Sequence, residues 1–227
     1  VAERTAEISA QARRLVSSKQ EVIAAQAATI TAFCALAEAR DNETGNHIRR
    51  TQHYVRILAE ALQDHPRFRD QLDDEVIQLL FKSAPLHDVG KVATPDAILL
   101  KPGKLTPDEW EVMKQHCEYG RKAILLAESA LGGVTDASFL QYAAEIAYGH
   151  HERWDGSGYP QGLAGERIPL SARLMAVADT YDGLISQRIY KKAHSHASFS
   201  ILLFSPGARA DMRPGAVVES LFRCLQP

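Results

Sequence analysis

The stretch "HHERWDGSGYP", His150 to Pro160, decides how the chain is read. Two adjacent histidines lead into an acid, a base and a tryptophan, and then into a glycine-rich turn that ends in Tyr-Pro. Asp-Gly and Gly-Ser are turn formers, so "DGSGYP" alone would be an ordinary turn. Folding gives no reason to set two imidazoles side by side at that point. The reason must come from what the rings face.

Outward from this tract the chain reads as helix after helix. A helix is predicted over roughly Asp136 to Tyr148, and another from near Ser171 that holds Leu174, Val177 and Asp179. Upstream, "TPDE" at Thr106 to Glu109 is a capping box with proline in the first helical position. It starts a helix carrying Trp110, Met113 and His116. Asp74 is expected to cap a helix running through Val76, Leu79, Leu80 and Ser83 to His87. Asn42 or Thr44 is expected to cap one that ends at Leu62, with Ile48, Val55, Leu58 and Leu62 on one face. There is no convincing alternating strand and no repeat. The expected fold class is all-α, with long functional loops at 92–105 and 152–170.

Residues 1 to about 40 contain no Gly or Pro and read as one long helix. Ile8, Leu15, Val22 and Leu36 fall on a seven-residue grid, with Thr29 as its polar member. That pattern suits a parallel coiled coil, hence a homodimer that carries a signal from an upstream sensor or receiver domain. It equally suits an amphipathic helix lying on its own domain. The chain starts at Val1 and is expected to be a piece of a longer protein, with a linker helix at 1–37 and a functional domain at 38–227.

Composition narrows the field. Among 227 residues the net charge is −2, so no basic field points to nucleic acid or anionic membrane. No run is expected to reach the roughly 18 apolar residues of a membrane span. Cys34, Cys117 and Cys224 form no CxxC pair, and a reducing, cytoplasmic setting is expected.

The chemistry sits in histidines and carboxylates. "NETGNH" puts Glu43 and His47 four apart, on one face if helical. "HDVGK" sets His87 beside Asp88, "KQHCEYG" supplies His116, and Asp179 lies in the apolar run "AVADTYDGL". Burying a carboxylate there is costly unless a metal or strong donor meets it. Neighbours on a helix point about 100° apart, so pairs such as His87-Asp88 and His150-His151 suit a site with more than one ion. Asp88 can bridge two cations through its two oxygens. A donor set of nitrogen and oxygen without thiolate favours Fe or Mn, with Mg, Ni or Zn also admissible.

"HDVGK" resembles the His-Asp motif of the HD hydrolase superfamily. "HHERWDGSGYP" resembles the extended motif of its HD-GYP branch, and the likeness continues through "IPLSARLMAVADTYDGLISQRIYK". The resemblance implies a helical HD bundle and a bacterial phosphodiesterase that opens cyclic di-GMP to linear pGpG, and further to GMP. It implies two or three transition metal ions held by Glu43, His47, His87, Asp88, His116, His150, His151 and Asp179. Water activated between two cations would attack phosphorus in line, and the 3′-oxygen would leave. Asp88 and Lys91 would stand at the reacting phosphate, with Arg188 and Lys191 gripping substrate phosphate. The loop at Gly158, Tyr159 and Pro160 would rim the pocket and dock onto cyclase (GGDEF) domains. Its glycines would let the backbone and Tyr159 approach a nucleotide or partner. The alternatives are a hydrolase of cyclic GMP-AMP, a non-catalytic cyclic di-GMP sensor and a di-iron oxygenase. Ile189, Met212-Arg213-Pro214 and the stretch "SHASFSILLFSPGARA" depart from the family pattern.

Overall fold

A computed structural model of the chain describes residues 2–40, 46–130 and 139–185. The main helices are α1 (Ala2–Arg40), α2 (His47–Leu62), α3 (Asp74–Ser83), the short α4 (Asp96–Leu99), α5 (Pro107–Lys114), α6 (His116–Ala130), α7 (Phe139–Gly149) and α8 (Leu170–Ile185). No strand occurs among the described residues, where one isolated antiparallel bridge joins Asp155 to Ala164. The all-α expectation holds.

Two apolar clusters position everything else. Val55, Ala59 and Leu62 of α2 pack with Ile77 and Leu80 of α3, Ile146 of α7 and Leu174, Met175 and Ala178 of α8. The second cluster joins Cys34 of α1, Leu86, Val89, Ile124 of α6 and Leu140, Ala143, Ala144 and Ala147 of α7. The predicted face of α2 is the one used. Val55 and Leu62 are buried, Leu58 packs against the first cluster and Ile48 against the second.

The helix ends differ from the sequence reading in instructive ways. The cap of α3 is Asp73, whose side chain accepts from the Val76 amide at 2.7 Å, and Asp74 is already inside the helix. The helix stops at Ser83 and tightens into a 3₁₀ turn, Ala84–Leu86, because Pro85 has no amide to continue the α ladder. The Thr106 capping box is present, but α5 ends at Lys114 and His116 opens α6 instead. The loop expected at 92–105 contains the short α4 and follows a second 3₁₀ turn, Val89–Ala93. The cap expected from Asn42 or Thr44 lies outside the described residues.

α1 corrects a second expectation. Its segment Glu7–Arg40 is long and apolar enough, by length and composition, to cross a membrane, because Ala, Thr and Gln dilute charge without adding bulk. Its C-terminal part also packs on the bundle, where Cys34 is buried and Ile30 leans on the second cluster. By contrast, grid positions Ile8, Leu15, Val22 and Leu36 are exposed.

Candidate metal centre

His47 occupies the first turn of α2, and its Nδ1 donates to Asp182 Oδ2 at 2.7 Å. His87 follows the 3₁₀ turn and donates from Nδ1 to the Ala84 carbonyl at 3.0 Å. His116 donates to the Met113 carbonyl at 2.7 Å, and His150 to the Ile146 carbonyl at 3.0 Å. A carbonyl or carboxylate oxygen can only accept, so each of these rings carries its proton on Nδ1. With Nδ1 so engaged, each turns Nε2 inward, the atom that binds a cation once it carries no proton.

The inward atoms form two groups, His47 with His87 and Asp179, and Asp88 with His116, His150 and His151. Within each group one donor atom per residue lies within 4.8 Å of the others. Asp88 reaches both groups. Its Oδ2 is 3.4 Å from His87 Nε2, while its Oδ1 is 3.4 Å from His116 Nε2 and 3.5 Å from His150 Nε2. Asp179 Oδ1 stands 3.5 Å from His47 Nε2. Lys91 Nζ sits 2.6 Å from Asp88 Oδ2.

These donors fit a divalent cation. His87 Nε2, His150 Nε2 and Asp88 Oδ1 are buried and make no hydrogen bond. Unsatisfied buried polar atoms are costly and rare, and three of them spread over the two donor groups call for cations there. Burial alone would lower His87, but the Asp88 carboxylate outweighs it and lifts the imidazole to about 9. Burial would likewise raise Asp88, yet Lys91 and His87 hold its carboxyl well below the usual range. Burial, with His150 alongside, pushes His116 down to about 4, and His151 falls below the ordinary imidazole range for the same reason. Cys117, buried beside His116, keeps its thiol proton because burial and Asp88 both disfavour the thiolate. The donor set stays nitrogen and oxygen.

The two histidines of "HHERWDGSGYP" do not divide between the groups, as the helical angle implied. They follow the end of α7, where the chain leaves helical geometry, and their rings lie 4.0 Å apart. Both join the Asp88 group. His87 and Asp88 are the neighbouring pair that spans the groups. The glycine of the Tyr-Pro turn also serves a different end. A Cβ on Gly158 would come 2.5 Å from Glu152 Cα and 2.3 Å from the Arg153 nitrogen, so the loop folds onto its own start. Glu152, buried, accepts from the Gln161 and Leu163 amides at 2.7 and 3.0 Å and fixes that return. Tyr159 then lies against His151, ring centroids 4.8 Å apart. Gly90 is equally forced, because a Cβ there would sit 1.9 Å from the His116 carbonyl oxygen. Its absence lets the Asp88 segment meet the start of α6.

Glu43, Arg188 and Lys191 lie outside the described residues. The sequence reading missed Asp182, which holds His47 and also takes Arg50 Nε at 2.6 Å and Nη2 at 2.9 Å. Its signal was present, since Asp182 falls three residues after Asp179 on the same helix face. Glu152 had no such signal.

The HD domain family model matches residues 10–213. A probable cyclic di-GMP phosphodiesterase of Vibrio cholerae serotype O1 is 54% identical over 187 residues, 82% of this chain and 42% of that protein. The cyclic di-GMP phosphodiesterase response regulator RpfG of Xanthomonas campestris is 40% identical over 212 residues, 93% of this chain and 51% of its own length. The 3′3′-cGAMP-specific phosphodiesterase 2 of Vibrio cholerae is 44% identical over 154 residues, 68% of this chain and 26% of that protein. The chain thus spans about half or less of these relatives. The chain belongs to the HD domain family, and its tract from His150 to Pro160 is the signature of the HD-GYP branch.

Proposed function

We propose that the domain is a metal-dependent phosphodiesterase and that cyclic di-GMP is its substrate. One observation carries this reading, namely two nitrogen-and-oxygen donor groups that the two oxygens of Asp88 join. His47, His87, Asp88, His116, His150, His151 and Asp179 would hold two ions, and Glu43 a third. Iron or manganese suits these donors best. Bound there, the cations would supply Lewis acidity and draw the pKa of water toward about 7.

The chain's own residues do the rest. Asp88 fixes Lys91 at 2.6 Å, so an ammonium charge stands at the edge of the donor groups where a phosphate oxygen would lie. Arg188 and Lys191, three apart in "SQRIYK", would grip the second phosphate. The nitrogen-bound protons of the four anchored histidines stay engaged with oxygen acceptors, so these rings orient rather than shuttle protons. The names of the 54% and 40% identical relatives support cyclic di-GMP. The 44% identical relative makes cyclic GMP-AMP the second substrate to test.

Partners follow the same reading. Exposure of 64% at Ile8, 73% at Leu15, 54% at Val22 and 70% at Leu36 supports a second copy along α1, with an upstream sensor or receiver domain feeding it. The turn at Tyr159 would face a GGDEF domain. The buried free thiols Cys34 and Cys117 suit a cytoplasmic setting. The test is hydrolysis by purified protein with Mn²⁺ or Fe²⁺ and a panel of cyclic dinucleotides, products resolved by chromatography. Linear pGpG is expected, followed by GMP. Cyclic di-GMP left intact with every metal, while cyclic GMP-AMP is cut, would replace the substrate. No cleavage of either would refute the reading.

A further inference from the structure

Among the described residues, none next to the start of α2 in sequence caps it with a side chain. Asn46, in the capping position, has a left-handed φ of 80° and makes no side-chain cap hydrogen bond. The amide of Ile48, one residue beyond His47, instead donates to Glu38 Oε1 of α1 at 3.0 Å. Glu38 thus closes the helix end that presents His47, and its negative charge suits the positive end of that helix. Two residues later, Arg40 grips the segment that follows Lys91. Its Nη1 donates to the Val92 carbonyl, and its Nη2 to the Thr94 carbonyl at 3.2 Å and to Asp96 Oδ1 at 2.5 Å. Cys34, Ala37 and Glu38 line one wall of the cavity whose other walls include His47, His87, Asp88 and Lys91.

We infer that Glu38 and Arg40 are positioning residues, through which the last turn of α1 sets the placement of His47 against the Asp88–Lys91 segment. α1 is then a working wall of the metal centre rather than a tether. Glu38 acts on the ion group that contains His47, and Arg40 acts on the ammonium of Lys91. A change in the attitude of α1 would reach both at once, because both contacts lie within one helical turn. The metal and kinetic arms of this inference rest on the hydrolase reading, and the amide arm does not.

The experiment compares Glu38→Ala, Glu38→Gln and Arg40→Ala in the full chain. In metal-free protein, hydrogen exchange at the Ile48 amide should accelerate at least about tenfold in Glu38→Ala. Glu38→Gln should restore protection, since the amide oxygen still accepts. Mn²⁺ affinity, by equilibrium dialysis, should fall about 10- to 100-fold in Glu38→Ala and about threefold or less in Glu38→Gln. Arg40→Ala should keep Mn²⁺ affinity and lower kcat/KM for cyclic di-GMP about tenfold, as Lys91 loses its place at the reacting phosphate. Unchanged exchange and Mn²⁺ affinity in Glu38→Ala would overturn the inference. So would a Glu38→Gln protein that protects Ile48 yet binds Mn²⁺ as poorly as Glu38→Ala, since the carboxylate would then be a ligand itself. A wild type that protects Ile48 but takes up no divalent ion would sink the hydrolase reading, leaving the exchange arm to decide whether Glu38 holds α2.

Discussion

Removing Asp182 should cost this domain a large share of its stability, before any metal is considered. The carboxylate is buried and accepts from His47 Nδ1 at 2.7 Å and from Arg50 at 2.6 and 2.9 Å. Burial alone would raise its carboxyl. The hydrogen bonds from His47 and Arg50 outweigh that and hold it far below the usual carboxylate range. Breaking a buried pair by deleting one partner costs about 3–5 kcal/mol, because the other is left uncompensated. Arg50 is half-buried and can turn to solvent, so the lower end applies to Asp182→Ala, about 3 kcal/mol. Typical domains have about 5–15 kcal/mol in all. Urea unfolding of metal-free protein, followed by circular dichroism, measures it at unchanged slope. The depressed pKa also fixes the pH dependence. This stability should be present in full above the unfolded value near 3.9 and fade as pH falls through the folded one. The gap between wild type and Asp182→Asn should therefore be constant from about pH 5 to 8 and shrink below about pH 4. A loss under about 1 kcal/mol, or a gap that widens in acid, would refute the argument.

Metal uptake should depend on His87, which is lifted to about 9 and must lose its proton to bind an ion. Mn²⁺ affinity by dialysis should thus rise about tenfold per pH unit toward pH 9, and a flat profile from pH 6.5 to 9 would contradict it. The same shift has the opposite sign for metal-free stability, where the His87–Asp88 contribution is full below about 6.5 and lost as pH climbs through about 9. Gly90→Ala would drive a methyl into the His116 carbonyl at 1.9 Å and should both lower the melting temperature and abolish binding in the Asp88 group, seen by calorimetry with and without Mn²⁺. Arg188→Ala should raise KM for cyclic di-GMP about 10- to 150-fold with little change in kcat and intact metal content, as expected for about 1.5–3 kcal/mol lost from a uniform phosphate contact. Chelation should stop hydrolysis, and Mn²⁺ should restore it.

How much of this was legible in the sequence depended on the range of the interaction. Periodicity exposes a face, so the α2 stripe of Val55, Leu58 and Leu62 and the capping box at Thr106 were readable. The donor residues stood out because histidines and a carboxylate in apolar surroundings need a partner. Turn geometry was not readable in the same way. The 100° rule assumed helix at His150-His151, where the chain has already left it. The helix expected to run on to His87 overlooked Pro85, and the consequence, that His87 and Asp88 face different groups, depends on a 3₁₀ turn of three residues. Glu152 and Glu38 act on amides of other elements, and no local pattern encodes such pairings.

Three of the inward rings hang from backbone carbonyls three or four residues upstream, His87 from Ala84, His116 from Met113 and His150 from Ile146. Those oxygens belong to the closing turns of helices and accept a backbone amide as well as the ring, so each ring is tied into the turn that carries it. Each ring is therefore aimed by the short piece of chain that bears it. Such a centre is built before its ion arrives. Unlike a zinc finger, it should take metal without folding around it, with little change in heat capacity or circular dichroism, and should surrender one ion for another without coming apart.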